Sequence, residues 1–390
     1  MSADVLPLLR GVIDLISEKE LREKIGPKKS LRVKLGVDPT SPDLHLGHTV
    51  ILNKLKTFQE LGHTIVFIIG DFTALIGDPS GRDETRPRIS EADVEKNSQT
   101  YLDQAFKLLD KNKTEVHKNS TWLKKLFDPS SLLQKESLFS LFSRATVQQL
   151  SQREDFSQRL KAGHPVTLLE LIYPLFQGYD SVAVKADVEL GGSDQLFNLL
   201  MGRAIQKDFN LEPQVVMTLP LLVGIDGVKK MSKSYGNAIA LNDAPKDIFG
   251  RLMSIPDELM WKYYELLTLE DLPKVKALHP KEAKMRLAQM VTERYHPGEG
   301  ENAKAEFEQV FSKKDLPEEI TDFKVTQRTM LLSRLVFEAG LAPSKRESKR
   351  LIENGGIRLD GKAAAEDTEI EILSPFILQV GRRKFVRILP

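Results

Sequence analysis

Hydrophobic positions in the first two thirds of the chain switch between strand-like runs and helix-like stripes. Leu31 to Val37 (LRVKLGV) is a short β-type run, stopped by Asp38-Pro39. The loop Thr40 to Asp43 leads into His45. From Gly47 to Leu61 the apolar residues Val50, Ile51, Leu55 and Phe58 fall at helical spacing. Thr64 to Ile69 (TIVFII) is β-branched and aromatic throughout, the mark of a strand buried on both faces. Strand, helix and strand within about forty residues make a βαβ unit. In such a unit the loop that meets a ligand lies where the first strand ends.

The rhythm continues with interruptions. Gly70 to Arg86 is a loop rich in Gly, Asp, Pro and Arg. A helix is predicted from Glu91 to Leu109, a weak strand from Glu115 to Asn119, and mostly helical, polar structure over 121–165, as an insertion between two halves of a nucleotide-binding fold. Val166 to Tyr179 reads as a helix despite Pro174, Val182 to Leu190 as an alternating strand ending at Gly191-Gly192, and Asp194 to Phe209 as a helix. Gln214 to Val223 reads as a strand before the loop Gly227 to Asn237. Residues 245–316 carry helical patterns without a good strand, and Pro317 to Gln327 is a hinge. From Arg328 a helix (Met330 to Ala339) and the run SKRESKRLIENGG precede short β-type runs at Ile357–Leu359, Glu369–Leu373, Phe376–Val380 and Phe385–Ile388. The expected fold is α/β: a Rossmann-like parallel-sheet domain over 1–240, an all-helical domain over 241–322, and a small α+β module over 328–390.

Composition narrows the class. The chain has 390 residues, 41% hydrophobic and 28% charged, with a formal net charge of +1. That is the composition of a globular protein with a real core, and it excludes a globally basic one while leaving room for local basic faces. Cysteine is absent, so disulfides and thiolate metal sites are excluded and a reducing compartment fits. The N-terminal segment MSADVLPLLRGVIDLISEKE has charges in every apolar stretch and reads as an amphipathic helix, not a leader. No apolar run approaches the roughly 20 residues that cross a bilayer. A cytoplasmic protein with no membrane partner is expected.

Three short constellations carry chemistry. His45-Leu46-Gly47-His48 places two imidazoles three apart at a helix start, where the dipole favours phosphate oxygens. Such a pair also suits a metal or a plain surface, although no HExxH pattern accompanies it. Lys230-Met231-Ser232-Lys233-Ser234 puts two ammonium groups in a loop framed by Gly227 and Gly236. It reads either as a mobile clamp on a polyphosphate or as a solvated basic turn. Gly191-Gly192-Ser193-Asp194-Gln195 lies at a strand end, where close backbone approach to a ligand and an ordinary helix N-cap are both open readings. Activation of a carboxylate by ATP would use these parts, because it demands in-line positioning and positive donors for a departing pyrophosphate.

Taken in order, the motifs carry a family resemblance. Gly36-Val37-Asp38-Pro39-Thr40-Ser41-Pro42-Asp43-Leu44-His45-Leu46-Gly47-His48 resembles the first nucleotide-binding motif of class I tyrosyl-tRNA synthetases. Gly77-Asp78-Pro79-Ser80-Gly81-Arg82 resembles their substrate loop, Tyr173-x-x-x-Gln177-x-x-Asp180 their amino-acid-binding helix, and GGSDQ and Lys230–Ser234 two further family motifs. The resemblance covers about residues 30–240. It implies that Thr40, His45 and His48 contact the ATP phosphates and that Lys230 and Lys233 stabilise the pyrophosphate-bearing transition state, with Arg82 and Arg86 assisting. It implies an ATP site completed by Asp38, Gly47, Gly192, Asp194, Met231 and Ser234, with Gly192 and Asp194 on the ribose. It implies a tyrosine site of Gly36, Thr73, Asp78, Tyr173, Gln177, Asp180 and Gln195, in which Asp180 accepts the phenolic hydrogen bond. One position departs: many members carry Tyr two residues before the Gly of the first motif, and this chain has Lys34.

The last module resembles S4-like RNA-binding domains through Ser344–Ile352 and Gly355–Lys362. Lys345, Arg346, Lys349 and Arg350 share one helical face by their spacing, which suits a phosphate backbone. Arg382-Arg383-Lys384 either extends the patch or is a turn. The resemblance implies ATP with Mg2+ as substrate complex, L-tyrosine and tRNA(Tyr) as partners, and neither a metal site nor a tightly bound cofactor in the protein. It also implies an anticodon-binding role for 241–322 and a homodimer with 121–165 near the interface. The competing readings are a tryptophanyl relative, a non-catalytic RNA-binding protein built on a retired synthetase, and a nucleotidyltransferase of small metabolites. Asp180 and the Asp-Pro-Thr run favour tyrosine over tryptophan, the retained His45, His48, Lys230 and Lys233 argue against a retired site, and the S4-like tail fits the third reading least.

Overall fold

The structure is a computed structural model that describes the whole chain except residues 1–4, 27–29, 81–88, 132–133, 135, 313–319, 326, 365 and 382–383. It divides into two compact units, Met1–Tyr295 and His296–Pro390. Arg82, Arg86, Arg382 and Arg383 lie outside the described residues.

The first unit is organised by one sheet. Its described strands are β1 (Leu15–Ile16), β2 (Arg32–Val37), β3 (Thr64–Ile69), β4 (Thr114–Lys118), β5 (Val188–Gly192) and β6 (Val215–Leu219). They lie in the order β1-β6-β5-β2-β3-β4. All neighbours are parallel except β1, which runs antiparallel beside β6. The chain moves outward from β2 through β3 to β4, then returns to the other side of β2 for β5 and β6. The order therefore reverses between β2 and β5, and open α/β sheets bind ligands outside the strand ends at that crevice. TIVFII forms β3 over the predicted residues and is buried for five of its six positions, as its unbroken apolar run requires.

Helices cover the sheet. Leu46–Glu60 follows β2 and buries Leu46, Val50, Leu52, Leu55 and Phe58. Leu168–Ala183 opens with a reciprocal capping box between Thr167 and Glu170 and runs through Pro174. Proline offers no N–H to the Glu170 carbonyl, but burial of Tyr173, Leu175, Phe176 and Tyr179 outweighs that loss. Leu196–Asp208 lies beside it. The stretch 121–165 contains only short helical pieces, and Leu123, Leu126 and Leu141 pack with Phe176 and Tyr179 in one apolar cluster. Helices Pro245–Ser254, Asp257–Leu267 and Pro280–Tyr295 complete this unit.

Two predicted elements of the first unit differ. The N-terminal segment is not one helix: it breaks into Leu6–Leu9, β1 and Glu18–Ile25. Gly11 takes φ +70°, and the Asp14 carboxylate accepts from Thr218 Oγ1 at 2.6 Å, tying the segment to the sheet edge. The alternation over 182–190 is also not one strand. The preceding helix continues to Ala183, Lys185 turns with φ 51°, and the strand spans Val188–Gly192.

The second unit begins with the helix Gly300–Ser312 and contains the small module. Thr321–Lys324 pairs parallel with Lys384–Leu389, which joins Phe376–Val380 and then Ile357–Leu359. Helices Leu332–Glu338 and Lys345–Glu353 pack on a core that includes Leu335, Val336, Ile352, Ile357, Leu378 and Ile388. No described helix is long and apolar enough to cross a membrane.

Candidate active site

A cavity of about 1180 Å³ opens at the strand ends of β2 and β5. Every candidate of the first unit that is described lines it: Gly36, Asp38, Thr40, His45, Gly47, His48, Thr73, Asp78, Tyr173, Gln177, Asp180, Gly192, Asp194, Gln195, Lys230, Met231, Lys233 and Ser234. Residues spread over nearly two hundred positions thus meet in one place: the first motif and GGSDQ sit at strand ends, Tyr173, Gln177 and Asp180 come from within the Leu168–Ala183 helix, and Lys230–Ser234 from the loop after β6.

The imidazole pair is built from the backbone outward. His45 is the N-cap of the Leu46–Glu60 helix, not part of its first turn. Its Nδ1 accepts the Gly47 N–H at 3.1 Å, and His48 Nδ1 accepts the His45 N–H at 3.1 Å. The two rings lie 4.0 Å apart. With both Nδ1 atoms accepting, each neutral ring carries its proton on Nε2 and can donate there. Burial, then the neighbouring His48 and Lys233, hold the His45 pKa down at about 2. Burial holds His48 at about 4. Both rings are therefore uncharged donors at neutral pH. Gly47 is needed for this packing, since a Cβ there would stand 2.9 Å from His45 Cε1 and Nδ1.

The lysine loop is delivered to the same place by backbone pairing. Leu46 N–H donates to Ile239 O and Leu241 N–H to Leu44 O, each at 3.0 Å, so the chain after the loop runs back along the His motif. Asn237 braces the loop by accepting from Ser232 N–H at 2.8 Å and donating to Asp226 Oδ2 at 2.9 Å. Lys233 Nζ sits 2.6 Å from Asp43 Oδ2, and Lys230 Nζ 3.8 Å from Asp194 Oδ2. Burial raises the Asp194 pKa, against the pull of Lys230.

The inner part of the cavity is a network of fixed polar groups. Tyr173 OH donates to Asp38 Oδ2 and Thr73 Oγ1 to Asp38 Oδ1, both at 2.8 Å. Gly70 makes room for this, because a Cβ there would occupy the position of Asp38 Oδ1. Asp38 thereby supports Tyr173, on the side of the tyrosine candidates. Gln195 Nε2 donates to Asp78 Oδ2 at 2.7 Å, and Asn198 Nδ2 donates to Gln177 Oε1 at 2.9 Å and Gln195 Oε1 at 3.1 Å. Asp180 is buried and accepts from Trp122 Nε1 at 2.7 Å and Asn119 Nδ2 at 3.2 Å. Burial pushes its pKa up to about 6, opposed by Lys34 and by those two donors.

Asn119, Trp122, Asn198 and Asp43 escape the sequence reading. Asn119 follows β4 directly, so the rule that ligands meet strand ends could have found it. Asp43 lies inside the first motif. Trp122 and Asn198 carry no local signal and become visible only through their partners. Lys34 does not reach the cavity: its side chain is fully buried beneath it.

In the second unit, Lys345, Arg346, Lys349 and Arg350 are all exposed on the Lys345–Glu353 helix, while Ser348 and Ile352 face inward. Arg350 Nη2 donates to Glu347 Oε1 at 2.7 Å.

Comparison with known proteins agrees with this geometry. The family described as tRNA synthetases class I (W and Y) matches residues 27–312, and the S4 domain matches 330–366. A tyrosine–tRNA ligase of Thermotoga maritima is 49% identical over 395 residues, covering 98% of this chain and 96% of its own. One of Moorella thermoacetica is 47% identical over 396 residues, covering 98% and 94%. Among solved structures, the tyrosyl-tRNA synthetase of Archaeoglobus fulgidus in complex with L-tyrosine superimposes with a TM-score of 0.62 at 21% identity, covering 77% of this chain and 99% of its own. A truncated mitochondrial tyrosyl-tRNA synthetase of Aspergillus nidulans gives 0.64 at 21%, covering 79% and 93%. At that identity the two structures speak for the fold.

Proposed function

The chain belongs to the class I tRNA synthetases of the tryptophan and tyrosine family, with an S4 domain near its C-terminus, and from that premise we propose that it is a tyrosine–tRNA ligase. The observation that carries the substrate choice is Asp180, a buried acceptor lining the cavity that also holds two uncharged imidazoles and two lysines. A phenol can donate to a lone pair that Trp122 and Asn119 leave over on such an acceptor, and a plain phenyl ring would bring no donor to it.

In this reading an oxygen of the tyrosine carboxylate attacks the α-phosphorus of ATP. The bond to pyrophosphate breaks and tyrosyl-adenylate forms. A hydroxyl of the terminal tRNA ribose then attacks the tyrosyl carbonyl and AMP leaves. Magnesium arrives with ATP as part of the substrate. Asp78, Tyr173 and Gln177 hold the tyrosine ammonium, with Asp38, Gln195 and Asn198 fixing their rotamers, and Gly36 and Thr73 complete the tyrosine pocket. His45 and His48 donate Nε2–H to phosphate oxygens, aided by Thr40 and the N-terminus of the fifteen-residue helix that follows. Gly192 and Asp194 take the ribose, and Met231 and Ser234 hold the loop against the nucleotide. Lys230 and Lys233 follow the charge onto the departing pyrophosphate, and Arg82 and Arg86 assist.

The exposed cations of the Lys345–Glu353 helix contact the tRNA backbone, and the stretch 241–322 reads the anticodon end. A second copy of the chain covers the region 121–165, where Phe127, Phe139, Val147 and Leu160 expose large apolar surfaces. Work on tRNA places the enzyme in the cytoplasm.

The test is amino-acid-dependent exchange of pyrophosphate into ATP. Exchange is expected with tyrosine and not with tryptophan or phenylalanine, and exchange driven by either of those would overturn the substrate choice. A second outcome follows from the cap. Gly47→Ala is expected to displace the His45 ring, lowering stability by about 1 kcal/mol. It should also slow adenylate formation on the order of 10²-fold. Thermal melts and single-turnover adenylate formation check both, and unchanged tyrosine affinity shows that the loss is confined to the phosphate end.

A further inference from the structure

The crevice between β2 and β5 has a charged foundation that neither the family motifs nor the mechanism above uses. Lys34 and Glu189 are register partners on those two adjacent strands. Their ion pair is 2.8 Å long, with side chains 0% and 1% exposed. Lys34 Nζ also donates to Gln177 O at 2.9 Å and Ser181 Oγ at 2.8 Å. Both acceptors belong to the helix that carries Asp180: Gln177 lies three residues before it and Ser181 directly after it. Glu189 Oε2 accepts from Ser181 Oγ at 3.1 Å and from Gln214 Nε2. A single buried ammonium is therefore shared by a helix backbone, a hydroxyl and one carboxylate, with the Asp180 carboxylate in its field.

We propose that Lys34 is a positioning residue for substrate choice: it fixes the Gln177–Ser181 turn and keeps Asp180 an ionised acceptor, so that a phenol is preferred over a phenyl ring. This rests on the reading of Asp180 as the phenol acceptor. Two carboxylates and one ammonium occupy this dry cluster. Without the ammonium, two like charges would remain, and one of them must take a proton. An ionised Asp180 only accepts, and a charge-assisted acceptor is about twice as strong as a neutral one.

The other groups around Asp180 do not replace Lys34. The Asn119–Trp122 segment brings neutral donors. The Thr73–Ile76 turn brings the Thr73 hydroxyl, whose own acceptor is Asp38. The Leu196–Asp208 helix brings Gln206, an amide donating to Ser181 O at 3.3 Å and Ala186 O at 2.9 Å. Arg144, ahead of the Val147–Ser151 helix, lies over the Phe209 ring and 3.7 Å from Asp208. The strands bring Lys34 and Glu189, whose charges act on Asp180 in opposite directions.

The test is tyrosine binding by equilibrium dialysis, without ATP, from pH 5 to 9, beside the ratio of kcat/KM for tyrosine and phenylalanine in pyrophosphate exchange. For the parent enzyme, tyrosine affinity is expected to fall as pH drops below about 6. Lys34→Met should move that midpoint up by about one unit or more. It should also weaken tyrosine binding about tenfold at pH 7 and reduce the tyrosine preference there, with recovery at higher pH. Lys34→Met/Glu189→Gln removes both charges and should show a smaller upward shift, and it decides the question if the single variant does not fold. Lys34→Arg should leave the midpoint in place. An unmoved midpoint in both Met variants, whatever their melting temperatures, overturns the proposal. Asp180→Asn separates the two levels. If it abolishes the preference while the Lys34 variants keep it, only this inference fails. If it keeps the preference, the Asp180 reading fails and this inference with it.

Discussion

Lys233→Ala is expected to slow formation of tyrosyl-adenylate about 10³-fold while leaving the tyrosine dissociation constant within about twofold. The asymmetry follows from where the ammonium rests. Lys233 lies 2.6 Å from Asp43, and both side chains are about a third exposed. An ion pair of that kind is worth about 0–1 kcal/mol, so releasing it to reach a phosphate is easy. The pyrophosphate gathers charge only as its bond to the α-phosphorus breaks. A donor that meets this charge in a site sheltered from water is worth about 4 kcal/mol, which is the stated rate loss. The tyrosine candidates Tyr173, Gln177 and Asp180 are held by Asp38, Asn198, Trp122 and Asn119, none of which touches Lys233 in the described hydrogen-bond network. Single-turnover adenylate formation and equilibrium dialysis measure the two quantities separately. Equal losses in both would mean that Lys233 holds the ground state, and the assignment to the departing group would fall.

How much of this was legible in the chain depends on whether a signal is local. β3 could be read residue by residue because a strand buried on both faces needs an unbroken apolar run, and TIVFII is one. Much of the cavity could be read because the first motif and GGSDQ sit at strand ends, positions that sequence marks with Gly, Pro, Asp and His. β1 could not. A two-residue strand exists only through its partners Met217 and Val216, and nothing in Leu15-Ile16 announces them. The alternation after Val182 misled for a related reason. Helix burial of Tyr179 and its neighbours carried the helix on, and the strand began only after the turn at Lys185. Lys34 is the sharpest case. By pattern it is a polar residue inside a strand and by family comparison a departure, yet its charge is matched across the sheet by Glu189, some 155 positions on. Tertiary pairing of that range leaves no trace in local periodicity.

Deleting residues 321–390 is expected to leave tyrosine-dependent pyrophosphate exchange within about twofold and to reduce kcat/KM for tRNA charging by about 10³ or more. Residue 321 is the physical place to cut. The hinge was read as reaching Gln327, but Thr321–Lys324 is a strand of the small module, paired with Lys384–Leu389, and Val325 is in its core. A cut at 328 would remove that strand's partner and strand the segment in water. The loss should appear in KM for tRNA, because the module's exposed cations act on binding and touch no reacting atom. Salt dependence supplies the independent check. Each phosphate neutralised contributes roughly 0.7–0.9 to the slope of log K against log salt. Replacing Lys345, Arg346, Lys349 and Arg350 together by Ala should therefore flatten the slope by about 3. The fourth cation counts for less, since Arg350 is paired with Glu347. These side chains point away from Ser348 and Ile352, so the replacement leaves the core untouched and the module folded. A slope that stays unchanged in a folded variant would place the tRNA backbone elsewhere on the molecule. A charging rate that survives the deletion would remove the module from the tRNA site altogether.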